Sequence, residues 1–328
     1  MKMKRAGAFI KNHLRDDNLS PEVKSFLIGL NANGCRLESL PPDDARQVII
    51  NAQESSSVNF SAIIESERMI YSDGCRIKLT IIRPKGVQGV LPAFIFIPGG
   101  GWVLGGYSSH RRMVRDLVVH SGVVGIFVNY SLTSDSFYPQ AINEIYAATN
   151  WVSENGLEIQ VYGKRLAIIG NSVGGNLTAV TCLMAKELNG PEIKTAVMMW
   201  PIVDADFTTD AYKKCGYDRF LATPLMSWMY EMYISDYYKR KEIYAFPLMA
   251  SIEQLQGLPP TLIQVAENDV VRDEGEAYGR KLLEAGVKAT TVRYNGVIHD
   301  FGILNALAET PQTIDLIIHA SAQLKKYL

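Results

Sequence analysis

From Leu91 onward the sequence alternates short, continuously apolar runs with longer amphipathic ones, and this rhythm limits the fold more than any other feature. LPAFIFIP, GIFVNYS, RLAIIGNS, TAVMMWPIVD and TLIQVAEND carry apolar side chains at successive positions, as a strand buried on both faces of a sheet must. AINEIYAATNWVSEN, GNLTAVTCLMAKELN and EGEAYGRKLLEAG fall between these runs, and ATTVRYNG followed by a helix from about Thr310 closes the series. Such alternation predicts a mostly parallel sheet with helices on both faces. Two earlier runs, FSAIIESERMIYS and CRIKLTIIRP, alternate apolar with polar residues and suit an antiparallel edge.

Two segments stand outside this rhythm. Residues 1–55 read as helical, with Ser20 as N-cap, Pro21 at the first helical position and Glu22 in the first turn of one helix, and LPPDDARQVIINAQ opening the next. Residues 205–251, rich in Tyr, Met, Phe and Lys, are too long for an ordinary connection between core strands and read as a helical insertion. The two segments are expected to pack together as a cap over the strand ends, leaving 56–204 and 252–328 as the catalytic domain. The stretch GVLPAFIFIPGGGWVLGG matches a membrane span in length, but its six glycines and two prolines rule out a helix. A buried strand running into a glycine-rich turn is expected there.

Basic and acidic side chains number 33 and 34, for a net charge of −1. That balance gives no field to gather nucleic acid or anionic lipid. Cys35, Cys75, Cys182 and Cys215 form no CxxC pair, and no histidine lies at zinc-finger spacing; they read as reduced thiols, with no metal implied. MKMKRAGAFIKNHLRDDN lacks the apolar core and cleavage site of a secretory signal, so a cytoplasmic protein is expected.

In open α/β sheets ligands bind at the carboxyl ends of the strands. After RLAII comes Gly170-Asn171-Ser172-Val173-Gly174-Gly175, a GxSxG sequence on a strand-to-helix turn, where flanking glycines let a serine take an exposed, strained conformation. A plain glycine-rich turn is the alternative. A serine nucleophile needs a base. His13, His110, His120 and His319 suit surface or packing roles, with His110 and His120 flanking a helix, whereas His299 follows the last predicted strand in GVIHDF. Asp269 ends TLIQVAEND and is placed to orient it; Asp273 and Glu274 are rivals, but VRDEG opens a helix, where carboxylates serve first-turn amides. Serine, acid and histidine then follow the chain order of α/β hydrolases. Pro98-Gly99-Gly100-Gly101-Trp102 can turn main-chain N–H groups towards an oxyanion. A phosphate loop would need the GK[ST] ending, which is absent.

The chain resembles the hormone-sensitive-lipase-like group of α/β hydrolases, bacterial carboxylesterases with a helical cap. The likeness runs through LESLPPDDAR, PGGGW, NYSL and YP, GNSVGGNL, LATPLMSWMYEMY, AENDVVRDEGEAYGRKLLEAGV and GVIHDF. It implies Ser172 as nucleophile, Asp269 and His299 as its partners, and an oxyanion hole from the N–H groups of Gly100, Gly101 and Val173. Against the family's pattern, Pro98 replaces a histidine, Asn171 an aspartate, Ser131 and Asp135 an arginine and a glutamate, and Asp300 a glycine. These departures are expected to remove polar support around the oxyanion loop.

The function expected is hydrolysis of short-chain acyl esters through an acyl-enzyme, without cofactor or metal, on a small-molecule ester. A homodimer is compatible with the sequence. A hydrolase fold reused as a small-molecule receptor is the alternative from another class, and an amidase, deacetylase or lipase could use the same residues. Trp228, Met229, Tyr230, Met232 and Tyr233 supply candidates for an apolar roof.

Overall fold

The computed structural model describes residues 16–32, 34, 36–133 and 136–328. His13, Cys35 and Asp135, and the first fifteen residues of the expected cap, lie outside the described residues. The core is one sheet of eight strands: β1 (Ile63–Ser72), β2 (Cys75–Pro84), β3 (Leu91–Ile97), β4 (Val124–Asn129), β5 (Val161–Asn171), β6 (Ile193–Met199), β7 (Thr261–Asn268) and β8 (Ala289–Ile298). Their order is β1-β2-β4-β3-β5-β6-β7-β8.

β1 and β2 form an antiparallel hairpin, and β2 pairs antiparallel with β4. Asp73 and Gly74 turn the hairpin with φ of 49° and 75°, as a two-residue turn matched to strand twist requires. All remaining neighbours are parallel. The edge strand β1 leaves Ile64, Met69 and Tyr71 exposed, whereas Ala93 to Ile97 of β3 are fully buried; the apolar runs therefore mark the strands covered on both faces.

Helices α3 (Tyr107–Ser121), α4 (Gln140–Asn155), α5 (Val173–Glu187), α9 (Arg272–Glu284) and α10 (Pro311–Tyr327) flank the sheet. α5 is buried at every position from Val173 to Ala185; a helix apolar all round belongs in a core. It lies against β5 and β6, with α4 beside it. His110 and His120 sit inside α3, not at its flanks, and His110 is buried: its early-turn position points inward, a direction the polar residues around it conceal in the sequence.

The N-terminal segment forms α1 (Pro21–Ala32) and α2 (Pro42–Glu54). The Ser20 hydroxyl accepts the Val23 N–H at 3.3 Å, capping α1 as expected. Residues 205–251 hold two α-helices, α6 (Asp210–Cys215) and α7 (Thr223–Tyr233), with turns and two single-turn 3-10 helices, Lys239–Lys241 and Pro247–Met249; the short α8 (Ile252–Leu255) follows. The two segments touch: the Phe26 and Phe220 rings lie 6.1 Å apart, and Arg219 pairs with Asp16. Among the described residues no helix is long and apolar enough to cross a membrane.

Candidate active site

The site is assembled from four turns at the carboxyl edge of the sheet. At the end of β5, Ser172 turns into α5 with φ 55° and ψ −122°, a strained conformation for a side-chain-bearing residue. Its N–H donates to the Met199 carbonyl at 2.8 Å and its carbonyl accepts the Ile202 N–H at 3.2 Å, which pins the turn to β6. The two flanking glycines are dictated by close approach: a Cβ on Gly170 would lie 2.0 Å from the Gly174 carbonyl oxygen, and one on Gly174 would lie 2.0 Å from that of Ile97. Glycine at both ends of G-x-S-x-G thus lets this strand and helix meet.

Asp269 follows β7. Its Oδ1 accepts the Val271 N–H at 3.2 Å, so the turn itself fixes the carboxyl. Its Oδ2 lies 2.7 Å from His299 Nδ1, and His299 Nε2 lies 2.9 Å from Ser172 Oγ. With Nδ1–H donating to the carboxyl, the neutral ring presents an unprotonated Nε2 to the serine hydroxyl. Ser172 is 3% exposed, Asp269 1% and His299 3%, so bulk water does not screen the chain of bonds. Burial disfavours a charged imidazole, but the charges of Asp269 and Asp300 and the Asp269 hydrogen bond outweigh it and hold His299 above its ordinary pKa.

The rival acids have other work. Asp273 Oδ2 accepts the Ala211 N–H at 2.7 Å, tying α6 to α9. Glu274 is fully buried and accepts the N–H groups of Val203 and Asp204 at 2.8 and 3.3 Å; burial pushes its carboxyl well above the usual range. Glu274 serves the loop after β6 and Asp273 serves α6, not the first turn of their own helix.

After β3, Gly100 and Gly101 adopt φ of 107° and 64°, and among the described residues their N–H groups have no acceptor. Together with the N–H of Val173 at the first position of α5, they can serve a developing oxyanion. The loop is not short of polar support. Asn171 Oδ1 accepts the Gly99 N–H at 3.0 Å, the Tyr130 hydroxyl donates to the Pro98 carbonyl at 3.0 Å, and Arg46 Nε donates to the Val103 carbonyl at 2.7 Å. Pro98 and Asn171 therefore leave the loop anchored, contrary to expectation, because the anchors come from other strands and from α2. Ser131 likewise keeps partners, its N–H and hydroxyl both donating to Glu144.

Residues 205–251 reach this loop. The Trp102 ring stacks on Tyr233 at 4.1 Å, and a Cβ on Gly101 would lie 2.1 Å from Met229 Sδ. Of the expected roof residues, Met229, Tyr230 and Tyr233 are buried, while Trp228 and Met232 are partly buried at the margin of the core. A surface cleft of about 470 Å³, lined by Asp73, Cys75, Asn143 and neighbours, holds none of these groups.

Sequence reasoning missed Trp200. Trp200 Nε1 donates to Asp300 Oδ1 at 2.8 Å, and Asn171 Nδ2 to the same atom at 3.4 Å. Asn171 and Asp300 were visible in the sequence as departures from a pattern, but nothing in it pairs them.

A parallel sheet with a hydrogen-bonded aspartate, histidine and serine over its carboxyl edge defines the class of α/β serine hydrolases. The chain belongs to the alpha/beta hydrolase fold family, whose model matches residues 94–303. Among solved structures it is similar to a thermostable esterase of Pseudomonas putida, at 49% identity and TM-score 0.94 over 95% of this chain and 98% of that one. An esterase of the fungus Rhizomucor miehei follows at 38% identity and TM-score 0.90, covering 94% and 97%. A carboxylesterase of Mycobacterium tuberculosis is 30% identical over 268 residues, 80% of this chain and 82% of its own.

Proposed function

We propose that this protein is a serine carboxylesterase acting on short-chain acyl esters. The observation that carries this reading is the run of two bonds, 2.7 Å from Asp269 to His299 and 2.9 Å from His299 to Ser172, over a strained serine. Similarity to proteins named esterase and carboxylesterase supports it.

Ser172 Oγ attacks the ester carbonyl carbon while its proton passes to His299 Nε2. The tetrahedral oxyanion takes hydrogen bonds from the N–H groups of Gly100, Gly101 and Val173. His299 returns the proton to the alkoxide oxygen as the carbon–oxygen bond breaks, and the alcohol leaves. Water, deprotonated by the same ring, then releases the acid and restores Ser172. Asp269 holds the imidazole in one tautomer throughout.

Residues 16–54 and 205–251 act as the cap of this site. A serine only 3% exposed, with Met229 against the neighbouring oxyanion loop at Gly101, supports a confined acyl pocket. Each methylene accommodated adds about 0.8 kcal/mol of burial until the space is full. On p-nitrophenyl esters from acetate to palmitate, kcat/KM should peak at roughly two to eight carbons and then fall. A value that keeps rising to palmitate would replace this reading with a lipase; ligand binding without turnover would replace it with a receptor.

A further inference from the structure

Asp300 is a buried carboxyl directly beside the reacting groups that the mechanism does not use. Its backbone sits at φ 62°, so the turn after His299 is held in an uncommon conformation that brings this side chain inward. Oδ1 lies 3.8 Å from His299 Nε2. That is too long for a hydrogen bond, so Nε2 keeps its 2.9 Å contact with Ser172 Oγ, yet short enough for strong electrostatic coupling in a site closed to water. Two donors hold the carboxylate there, Trp200 Nε1–H at 2.8 Å and Asn171 Nδ2–H at 3.4 Å. Trp200 is itself fully buried, with its ring 6.3 Å from that of His299.

Asn171 faces both ways. Its carbonyl oxygen accepts the Gly99 N–H at 3.0 Å while its amide donates to Asp300. A carboxylate at 171 could accept from Gly99 but would face Asp300 as a second negative charge with no donor between them. An apolar residue would strand both Gly99 N–H and one side of Asp300.

We propose that Asp300 is a positioning residue, supplying His299 with a second carboxylate on the Nε2 side of the ring that steadies the imidazolium once it has taken the serine proton, and that Asn171 must be uncharged for Asp300 to do so. The inference rests on Ser172 and His299 acting as nucleophile and base. The other groups facing this pair are Asp269 at Nδ1, His110 and Arg112 from α3, and, behind Asp269, Glu274 of α9 with Asp204 of the loop after β6 and Tyr212 and Cys215 of α6. His110 is held below its ordinary pKa by burial and adds no charge near neutrality. Arg112 is engaged by Asp116 and the Gly302 carbonyl. The nearest negative charges on the ring are therefore Asp269 and Asp300.

The test is a pH titration of His299 in protein with isotope-labelled histidines, read by NMR, beside the pH profile of kcat and KM on p-nitrophenyl butyrate. Asp300→Asn should lower the pH at which His299 titrates by about one pH unit. It should move the acid limb of kcat/KM down by the same amount and reduce plateau kcat roughly three- to tenfold with KM little changed. Asn171→Asp alone should lose more activity than Asp300→Asn, and N171D/D300N should recover to about the level of D300N. Should D300N not fold, Trp200→Phe removes the N–H that holds the carboxylate and should move the titration in the same direction by less. An unmoved His299 titration in the folded variant, or a double variant no better than N171D, would overturn the proposal. Because the titration needs no turnover, a moved titration in a protein that hydrolyses no ester would uphold the pairing while sinking the esterase reading.

Discussion

The turns at the carboxyl edge of the sheet and the segment proposed to cover them are held by different balances of forces. At the edge, Trp102, Ser172, Trp200 and Asp300 all adopt positive φ, between 36° and 62°, one after each of β3, β5, β6 and β8. Each such residue costs on the order of 1–3 kcal/mol, and each is buried. Directed hydrogen bonds hold them: Ser172 to Met199, Trp200 to Asp300, Asn171 to Gly99. The proposed cover leans more on ring faces, beside a few polar ties such as Arg219 with Asp16 and the Ala211 N–H with Asp273. Tyr233 stacks on Trp102, Tyr230 packs against Phe246 at 5.1 Å, and Phe207 against Tyr212 at 4.9 Å. Dispersion and apolar burial are tolerant of small displacements, whereas aligned proton transfer is not. Substitutions at the edge should therefore act on kcat, and substitutions in the cover on stability and chain-length preference.

The sharpest break of this comparison is at Ser172 and His299. Ser172→Ala or His299→Ala should each lower kcat for a short ester by about 10⁴- to 10⁶-fold, while the melting temperature changes little. A large loss of stability with modest loss of rate would make the turn structural.

Next in size is the pair of acids. Asp269→Asn should reduce kcat by roughly 10⁴-fold, by leaving the imidazole in the wrong tautomer. Asp273→Asn should change kcat by less than about tenfold and cost roughly 1 kcal/mol in denaturant unfolding, since it weakens the acceptor for Ala211 N–H between cover and core. Reversed effects would move the acid to position 273.

Met229→Ala probes the cover. Met229 is 5% exposed and lies over Gly101, so truncation should cost about 2–5 kcal/mol and move the ester chain length of maximal kcat/KM upward. The smallest effect is in the pH profile. Because His299 is held above 6.5, the ring stays protonated, and unable to accept from Ser172, to a higher pH than free histidine. The rising limb of kcat/KM should accordingly have its midpoint above 6.5.

The edge was legible in the sequence because its chemistry is tied to turns that follow recognisable strands. Ser172 and Asp269 each stand at the end of an apolar run and His299 just after the last strand, and Gly170 and Gly174 are forced by backbone contact. The cover was legible only as an interruption: its Tyr- and Met-rich residues form the single longer helix α7, and most of the rest folds as turns around α6 and α7. The contact between Asn171 and Asp300 could not be read, since strand order alone brings together residues 129 apart. Glu274 was misread for the same reason. Its helix starts beneath the loop after β6, so the carboxyl meets Val203 and Asp204.

On this geometry one serine, Ser172, is activated as the nucleophile. Incubation with an aryl organophosphate, followed by peptide mapping, measures it directly. The account predicts one label per protein molecule, on Ser172, with loss of ester hydrolysis in proportion to labelling and no label in the His299→Ala protein over the same time. A label on another residue, or full hydrolysis by protein whose Ser172 is completely modified, would contradict it.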